Sequence, residues 1–323
     1  MTQDLDRYQK MVSKLLEDMN VPVEPANLYE PIRYILSLGG KRLRPTLALM
    51  GHEIFDDHFE QSGHAALAVE IFHNFSLIHD DIMDEAPLRR GKETVHKKWN
   101  QNIAILSGDV MLVQAYEQLS VYSGNTLKRL LELFNKTAIE VCNGQQLDMD
   151  FEEQDEVSIE EYLEMIRLKT AVLLGCSLKM GGIVADGPSR SCDKLYEFGV
   201  NLGIAFQLQD DILDVYAEGD QFGKQVGGDI ISNKKTYLLL KAFEDANAEQ
   251  KAELEKQLSN NNPADKVNAV MGIYNELNIK EKATQKMMEY HQLALENLED
   301  INVDEEHKLP LRAVAAYLSD RAH

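Results

Sequence analysis

The chain has 323 residues and a formal net charge of −21, with 54 acidic side chains against 33 lysines and arginines. That surplus repels nucleic acid and anionic membrane surfaces, which excludes both as partners and makes any local cluster of cations informative. The polar, acidic start Met-Thr-Gln-Asp-Leu-Asp is no secretory leader, no apolar run nears the ~18 residues of a bilayer span, and Cys142, Cys176 and Cys192 lack metal spacing, so a soluble cytoplasmic protein with reduced thiols is expected.

Apolar residues recur every three or four positions, and the prolines read as gaps between runs. The pattern predicts helices at roughly 3–20, 26–38, 44–56, 63–84, 101–122, 125–150, 158–181, 189–216, 234–245, 247–258, 263–276, 279–298 and 307–321. The β-branched alternation of strands is absent. Polar stretches at 246–266 and 299–307 read as surface loops or short outer helices. No Gly/Ser linker divides the chain, so one all-α domain over 1–323 is expected, a helical bundle around a large central cavity.

In chain order, the first cluster is Gly39-Gly40-Lys41-Arg42-Leu43-Arg44-Pro45, three cations at a predicted helix start where free backbone N–H groups favour an anion. Lys41 and Arg44 are spaced to converge on one group. An ordinary basic patch is the alternative; two preceding glycines and a proline favour a shaped anion loop.

Next comes a buried helical run, Leu67 to Ile78, ending in Asp80, Asp81 and Asp84. Positions i and i+4 share a helix face, so Asp80 and Asp84 stand side by side and repel unless a cation lies between them. Mg²⁺ suits such a place, being hard, oxygen-seeking and usually held by one or two carboxylates plus substrate phosphates. Arg89-Arg90-Gly91 follows beyond Pro87. The same acidic spacing returns at Asp210, Asp211 and Asp214 in Gln-Leu-Gln-Asp-Asp-Ile-Leu-Asp. One acidic cluster is ordinarily a solvated face. Two, each at the end of buried apolar sequence, require counter-ions, and suggest aspartate-bearing helices facing each other across a cavity.

Between them, Lys169-Thr170 sits at the start of a predicted helix apolar enough to be core, where a lysine either snorkels to solvent or serves a site. Lys224 in Phe-Gly-Lys and Lys234-Lys235 follow the second acidic unit. Carboxylate walls, several metals and a basic rim suit a diphosphate ligand.

These stretches, in this order, resemble the trans-type isoprenyl diphosphate synthases of the polyprenyl synthetase family. The resemblance covers nearly the whole length: Gly39 to Pro45, Asp80 to Asp84 with Arg89-Arg90, Gly144-Gln145 leading into Leu147-Asp148-Met149-Asp150, Lys169-Thr170, Phe206-Gln207 through Asp214, then Gly223-Lys224 and Lys234. It implies head-to-tail condensation of isopentenyl diphosphate with an allylic diphosphate. Asp80, Asp84 and Asp210 would hold several Mg²⁺ per active site, with Asp81, Asp211 and Asp214 as supporting or additional ligands. Asp80, Asp84, Lys169, Asp210 and Asp211 take the catalytic roles. Arg89, Lys169, Thr170, Gln207, Lys224 and Lys234 would hold the allylic diphosphate; Lys41, Arg44, His73 and Arg90 would hold isopentenyl diphosphate. A homodimer is also implied.

Other readings are weaker. Glu70-x-x-His73 and Glu93-x-x-His96 have the spacing of a di-metal bundle, but Glu93 follows Gly91 in a predicted loop and both aspartate sets stay unexplained. His79-Asp80 hints at a metal-dependent phosphohydrolase without further histidine ligands. Terpene cyclases lack use for the Lys41–Arg44 loop, and a non-catalytic regulatory subunit would be expected to lose aspartates.

For product length, the resemblance implies a tunnel beside the first aspartate helix with bulky residues upstream of Asp80 as its floor. Phe75, with Ser76 after it and Phe72 a turn earlier, resembles a geranylgeranyl-length arrangement. The expectation is a C20 product, farnesyl length being the runner-up. Packing of both phenylalanines on a neighbouring helix is the structural alternative.

Overall fold

The computed structural model describes residues 3–217 and 227–319. It is all-α, as expected. In order come α1 Gln3–Glu17, α2 Ala26–Ser37, α3 Leu43–Glu53, a 3₁₀ turn Phe59–Ser62, α4 Gly63–Met83, α5 Val95–Lys98, α6 Gln101–Leu119 and α7 Gly124–Glu153. Then follow α8 Ile159–Ile166, a π turn Arg167–Ala171, α9 Val172–Val184, α10 Ser189–Tyr216, α11 Gly228–Ile231, α12 Tyr237–Asp245, α13 Ala248–Leu258, α14 Pro263–Glu276, α15 Ile279–Glu299 and α16 Glu305–Ser319.

Helix starts follow local chemistry. Ser158 caps α8 in a reciprocal box with Glu161, Asn247 does the same for α13 with Gln250, and Asn262 with Pro263 opens α14. Four departures from expectation have physical causes. The 158–181 run is interrupted by the π turn, which carries Lys169. The helix expected from 234 starts at Tyr237, because Thr236 is extended at its N-cap. Pro31 and Pro310 lie inside helices rather than between them. And a strand pair exists: β1 Leu88–Arg89 runs antiparallel to β2 Lys92–Glu93. Arg90 and Gly91 both have positive φ, 53° and 73°, the backbone of a two-residue hairpin turn whose strands are too short to show a pattern.

The chain forms two compact units. One comprises Met1–Thr137, Leu173–Gly199 and Leu298–Ala313. Its centre is α4, whose stretch from Ala65 to Phe72 is buried throughout and packs chiefly on α6 and α3. The other comprises Ala138–Val172, Val200–Asn297 and Val314–His323, and its core includes Leu208, Leu254, Tyr274 and Ile279. Each unit ends one aspartate-bearing helix.

Candidate active site

In the first unit, α4 carries Asp80 and Asp81 on its last turn and Asp84 as its C-cap. The neighbouring aspartates have different surroundings. Asp81 is 1% exposed, and Arg89 from β1 donates to it through Nε at 2.9 Å and Nη2 at 2.7 Å. Burial pushes the Asp81 carboxyl up, and Arg89 offsets only part of that. Asp80 lies further from the same guanidinium, at 3.8 Å, and Asp84 is exposed.

The hairpin turn then throws Arg90 onto the glycine loop. Its Nη1 donates to the Gly39 carbonyl, and a Cβ at Gly40 would stand 2.7 Å from its guanidinium carbon. Gly39 and Gly40 also have φ of 75° and 122°, so this loop needs glycine for its conformation. The three cations beyond it diverge. Arg42 turns inward to buried Glu70 and the Leu36 carbonyl, while Asn74 donates to the same carboxylate at 2.8 Å. Arg44 Nη1 meets His73 Nε2 at 3.1 Å. Lys41 is exposed. Desolvation, then Arg44, Arg90, Arg89 and Arg42, hold His73 well below the usual imidazole range. A neutral Nε2 can therefore accept from Arg44. Desolvation also lowers Arg44, to about 10. The resemblance assigned Arg44, His73 and Arg90 to one diphosphate and Arg89 to the other; the structure sets Arg44 against His73, Arg90 on the Gly39 carbonyl and Arg89 on Asp81, and adds the Arg42–Glu70 pair, which the sequence did not indicate. Glu70 being bonded to Arg42 and Asn74, and Glu93 being exposed on β2, neither Glu-x-x-His pair forms a di-metal site.

In the second unit, α10 carries Asp210, Asp211 and Asp214. Asp211 is 3% exposed; the Tyr162 hydroxyl of α8 donates to it, and so does Gln207 Nε2 at 3.2 Å. Burial raises its pKa to about 7, against the pull of Tyr162 and Gln207. Thr170 Oγ1 reaches Gln207 Oε1 at 3.5 Å, extending the chain of contacts. Asp214 turns to α11, where its Oδ2 accepts the Asp229 N–H at 2.9 Å. Lys169 Nζ donates to Asp148. That contact depends on Gly144 of α7, since a Cβ there would sit 2.2 Å from the Lys169 backbone nitrogen. Lys234 is exposed just after α11. Lys224 lies outside the described residues.

Tyr162 was invisible as a functional candidate. The available signal was its place seven residues, about two turns, before Lys169. Phe72 is 1% exposed, 5.2 Å from Phe134 and 5.6 Å from Phe75; Phe75 is half-buried against His79, and Ser76 Oγ bonds back to the His73 carbonyl.

The donor chemistry fits divalent metal: Asp80 and Asp84 offer hard oxygens one turn apart, while Asp81 and Asp211 are committed to protein donors. An all-α frame in which each unit ends a helix in such carboxylates has the donor set of a protein that binds divalent metal. Comparison with known proteins narrows this. The sequence model described as Polyprenyl synthetase matches residues 25–277. The geranylgeranyl pyrophosphate synthase of Geoglobus acetivorans is 37% identical over 317 residues, covering 97% of each chain. A crystal structure of a geranylgeranyl pyrophosphate synthase is similar at 43% identity with a TM-score of 0.95, covering 99% of each chain. That of the Pyrococcus horikoshii geranylgeranyl pyrophosphate synthetase is similar at 33% identity and TM-score 0.91, covering 98% of this chain and 97% of its own. The chain belongs to the polyprenyl synthetase family and is a trans-prenyltransferase. No helix among the described residues is long and apolar enough to cross a membrane.

Proposed function

We propose that the protein joins isopentenyl diphosphate head to tail to allylic diphosphates and stops at geranylgeranyl diphosphate, the whole chain acting as one catalytic domain in the cytoplasm. The observation that carries this reading is the gathering of Arg44, Arg89 and Arg90 about His73 of α4 in a chain of net charge −21. Cations collected against such a surplus have an anion to hold.

Lys41, Arg44, His73 and Arg90 hold isopentenyl diphosphate. Arg89, Lys169, Thr170, Gln207 and Lys234 hold the allylic diphosphate, with Lys224 assigned by motif alone. Asp80 and Asp84 of the first aspartate set and Asp210 of the second would hold Mg²⁺, which would supply positive charge for the departing diphosphate. Asp81, Asp211 and Asp214 serve as supporting or additional ligands, with a carboxylate oxygen of each met by Arg89, by Tyr162 or by the Asp229 N–H. The allylic C–O bond breaks with its electron pair on diphosphate, and the surrounding cations stabilise that charge as it develops. The isopentenyl double bond supplies the electrons of the new C–C bond. A proton then leaves the adjacent carbon for the released diphosphate. The exposed apolar Ile105, Leu106 and Val113 of α6 support a second copy of the chain as partner.

Product analysis tests the reading. Isopentenyl diphosphate with each allylic primer should give C20 chains in a Mg²⁺-dependent way. Full activity in metal-free buffer would remove the metal assignment, and chains of thirty carbons or more would remove the length assignment.

A further inference from the structure

Lys234 is exposed, yet both residues beside it are tied down. On one side, Asn233 takes the left-handed conformation, φ 58°, and its Nδ2 donates to the Leu258 carbonyl at the end of α13 at 2.9 Å. On the other, Lys235 Nζ donates to the Phe151 and Gln154 carbonyls at the end of α7. Both contacts satisfy helix C-terminal carbonyls that would otherwise lack partners. The third tether is the least expected. Lys266 of α14 is 3% exposed, and among the described residues no carboxylate bonds its ammonium; it donates instead to the Ile231 carbonyl at 3.0 Å and to Asn233 Oδ1 at 2.5 Å.

A buried ammonium is costly to keep, and desolvation lowers the Lys266 pKa. Its bonds must therefore return something that an apolar residue would not. A small cavity beside the segment is lined by Asp229, Asn233, Lys234, Lys266 and Tyr274, among others. At Asn233 and Lys234, which are exposed, hydrogen bonds from the neighbouring residues hold the segment. At its other end, Gly227 N–H and Asp229 N–H both bond Asp214. The segment from 227 to 236 is thus tied to the second aspartate set at its start and to three helices at its finish.

We propose that Lys266 is a positioning residue for Lys234, holding the 231–235 turn so that the Lys234 ammonium is presented to diphosphate. This rests on the reading of Lys234 as a diphosphate ligand. Lys266 itself touches no substrate.

The test uses the full chain with Mg²⁺ and inorganic diphosphate, binding being followed by calorimetry, with Michaelis constants for both substrates measured alongside. Lys266→Met keeps the stem and removes the charge; Asn233→Ala, at an exposed position, breaks the same bond without emptying the core. Each should weaken diphosphate binding about tenfold, the scale of one lost charged hydrogen bond. Each should also raise the Michaelis constant for the allylic substrate but not for isopentenyl diphosphate. In a Lys234→Ala background both effects should vanish, because nothing remains to be positioned. If Lys234→Ala weakens binding but Lys266→Met and Asn233→Ala still act in that background, the clamp is refuted and the Lys234 assignment stands. If Lys234→Ala binds diphosphate like the unaltered protein, the assignment falls and the clamp with it.

Discussion

Asp80 and Asp81 are adjacent, and exchanging each for asparagine should separate stability from catalysis. Asp81 is 1% exposed and receives Nε and Nη2 of Arg89, whose own side chain is 24% exposed. Removing one partner of a buried charge pair costs about 3–5 kcal/mol, because the other charge is left without compensation. Unfolding entropy of about 2.1 cal/mol/K per residue over 323 residues gives about 0.7 kcal/mol/K, so Asp81→Asn should melt about 6 °C lower. Asp80 is 19% exposed and 3.8 Å from Arg89, a contact worth about 0–1 kcal/mol, so Asp80→Asn should shift melting by less than about 2 °C. Calorimetric melts in metal-free buffer measure this, and turnover with Mg²⁺ should fall by orders of magnitude for Asp80→Asn. The double variant Asp81→Asn/Arg89→Leu should lose less than the two single losses combined. Equal melting of Asp80→Asn and Asp81→Asn, or additive losses in the double variant, would refute the division of labour.

His73 should make the protein acid-sensitive: its folded pKa lies below 6.5, so the unfolded state takes up the proton first and stability, full above that value, declines as pH falls toward the folded pKa. His73→Gln should flatten denaturant midpoints between pH 7.5 and 5, and an unchanged slope would discount the histidine. Phe75→Ala, at a half-buried position, should lengthen the product at small cost in stability, whereas Phe72→Ala should cost about 3–5 kcal/mol because the site is fully enclosed. Product chromatography that shows no lengthening for either variant would end the tunnel-floor assignment. Gly144→Ala should cut turnover while helix content persists, since its Cβ would force the Lys169 backbone away from 2.2 Å and spoil the Lys169–Asp148 contact; circular dichroism with a rate assay decides it.

What was legible in the sequence follows from where the signals lie. Long periodic runs such as Gly63–Met83 and Ser189–Tyr216 show their helices because burial repeats over many turns. The hairpin at Leu88–Glu93 was not legible as strands, although Arg90-Gly91 could have signalled a turn with positive φ. The π turn at Arg167–Ala171 leaves no mark on a hydrophobic pattern that continues through it. Among the candidate site residues, the charged ones stand out because they cluster in sequence. Glu70 lies about one turn before His73 and Tyr162 about two turns before Lys169, but spacing alone does not reveal that Glu70 takes Arg42 or that Tyr162 meets Asp211, and Lys266 reaches Asn233 only through folding.

The same geometry explains why the acidic spacing works on both helices. Consecutive helical residues are turned by about 100°, whereas residues four apart differ by about 40°. In an Asp-Asp-x-x-Asp unit the first and third carboxylates therefore share a face, and the middle one is rotated toward whatever packs behind. At α4 the middle aspartate meets Arg89; at α10 it meets Tyr162 and Gln207. The exposures, 1% for Asp81 and 3% for Asp211, match that rotation. The third positions differ because their surroundings do: Asp84 ends its helix in solvent, while Asp214 stays within its helix and is drawn to the Asp229 N–H. The partner on the inner side sets the chemistry too. A guanidinium keeps Asp81 paired, but a neutral phenol leaves the Asp211 carboxyl raised to about 7. Loss of turnover on replacing either middle aspartate would thus report a displaced support as readily as a lost metal ligand. Only melting and metal affinity measured on the same variant separate the two, and the expected pattern is lower melting at Asp81 with metal affinity lost chiefly at Asp80.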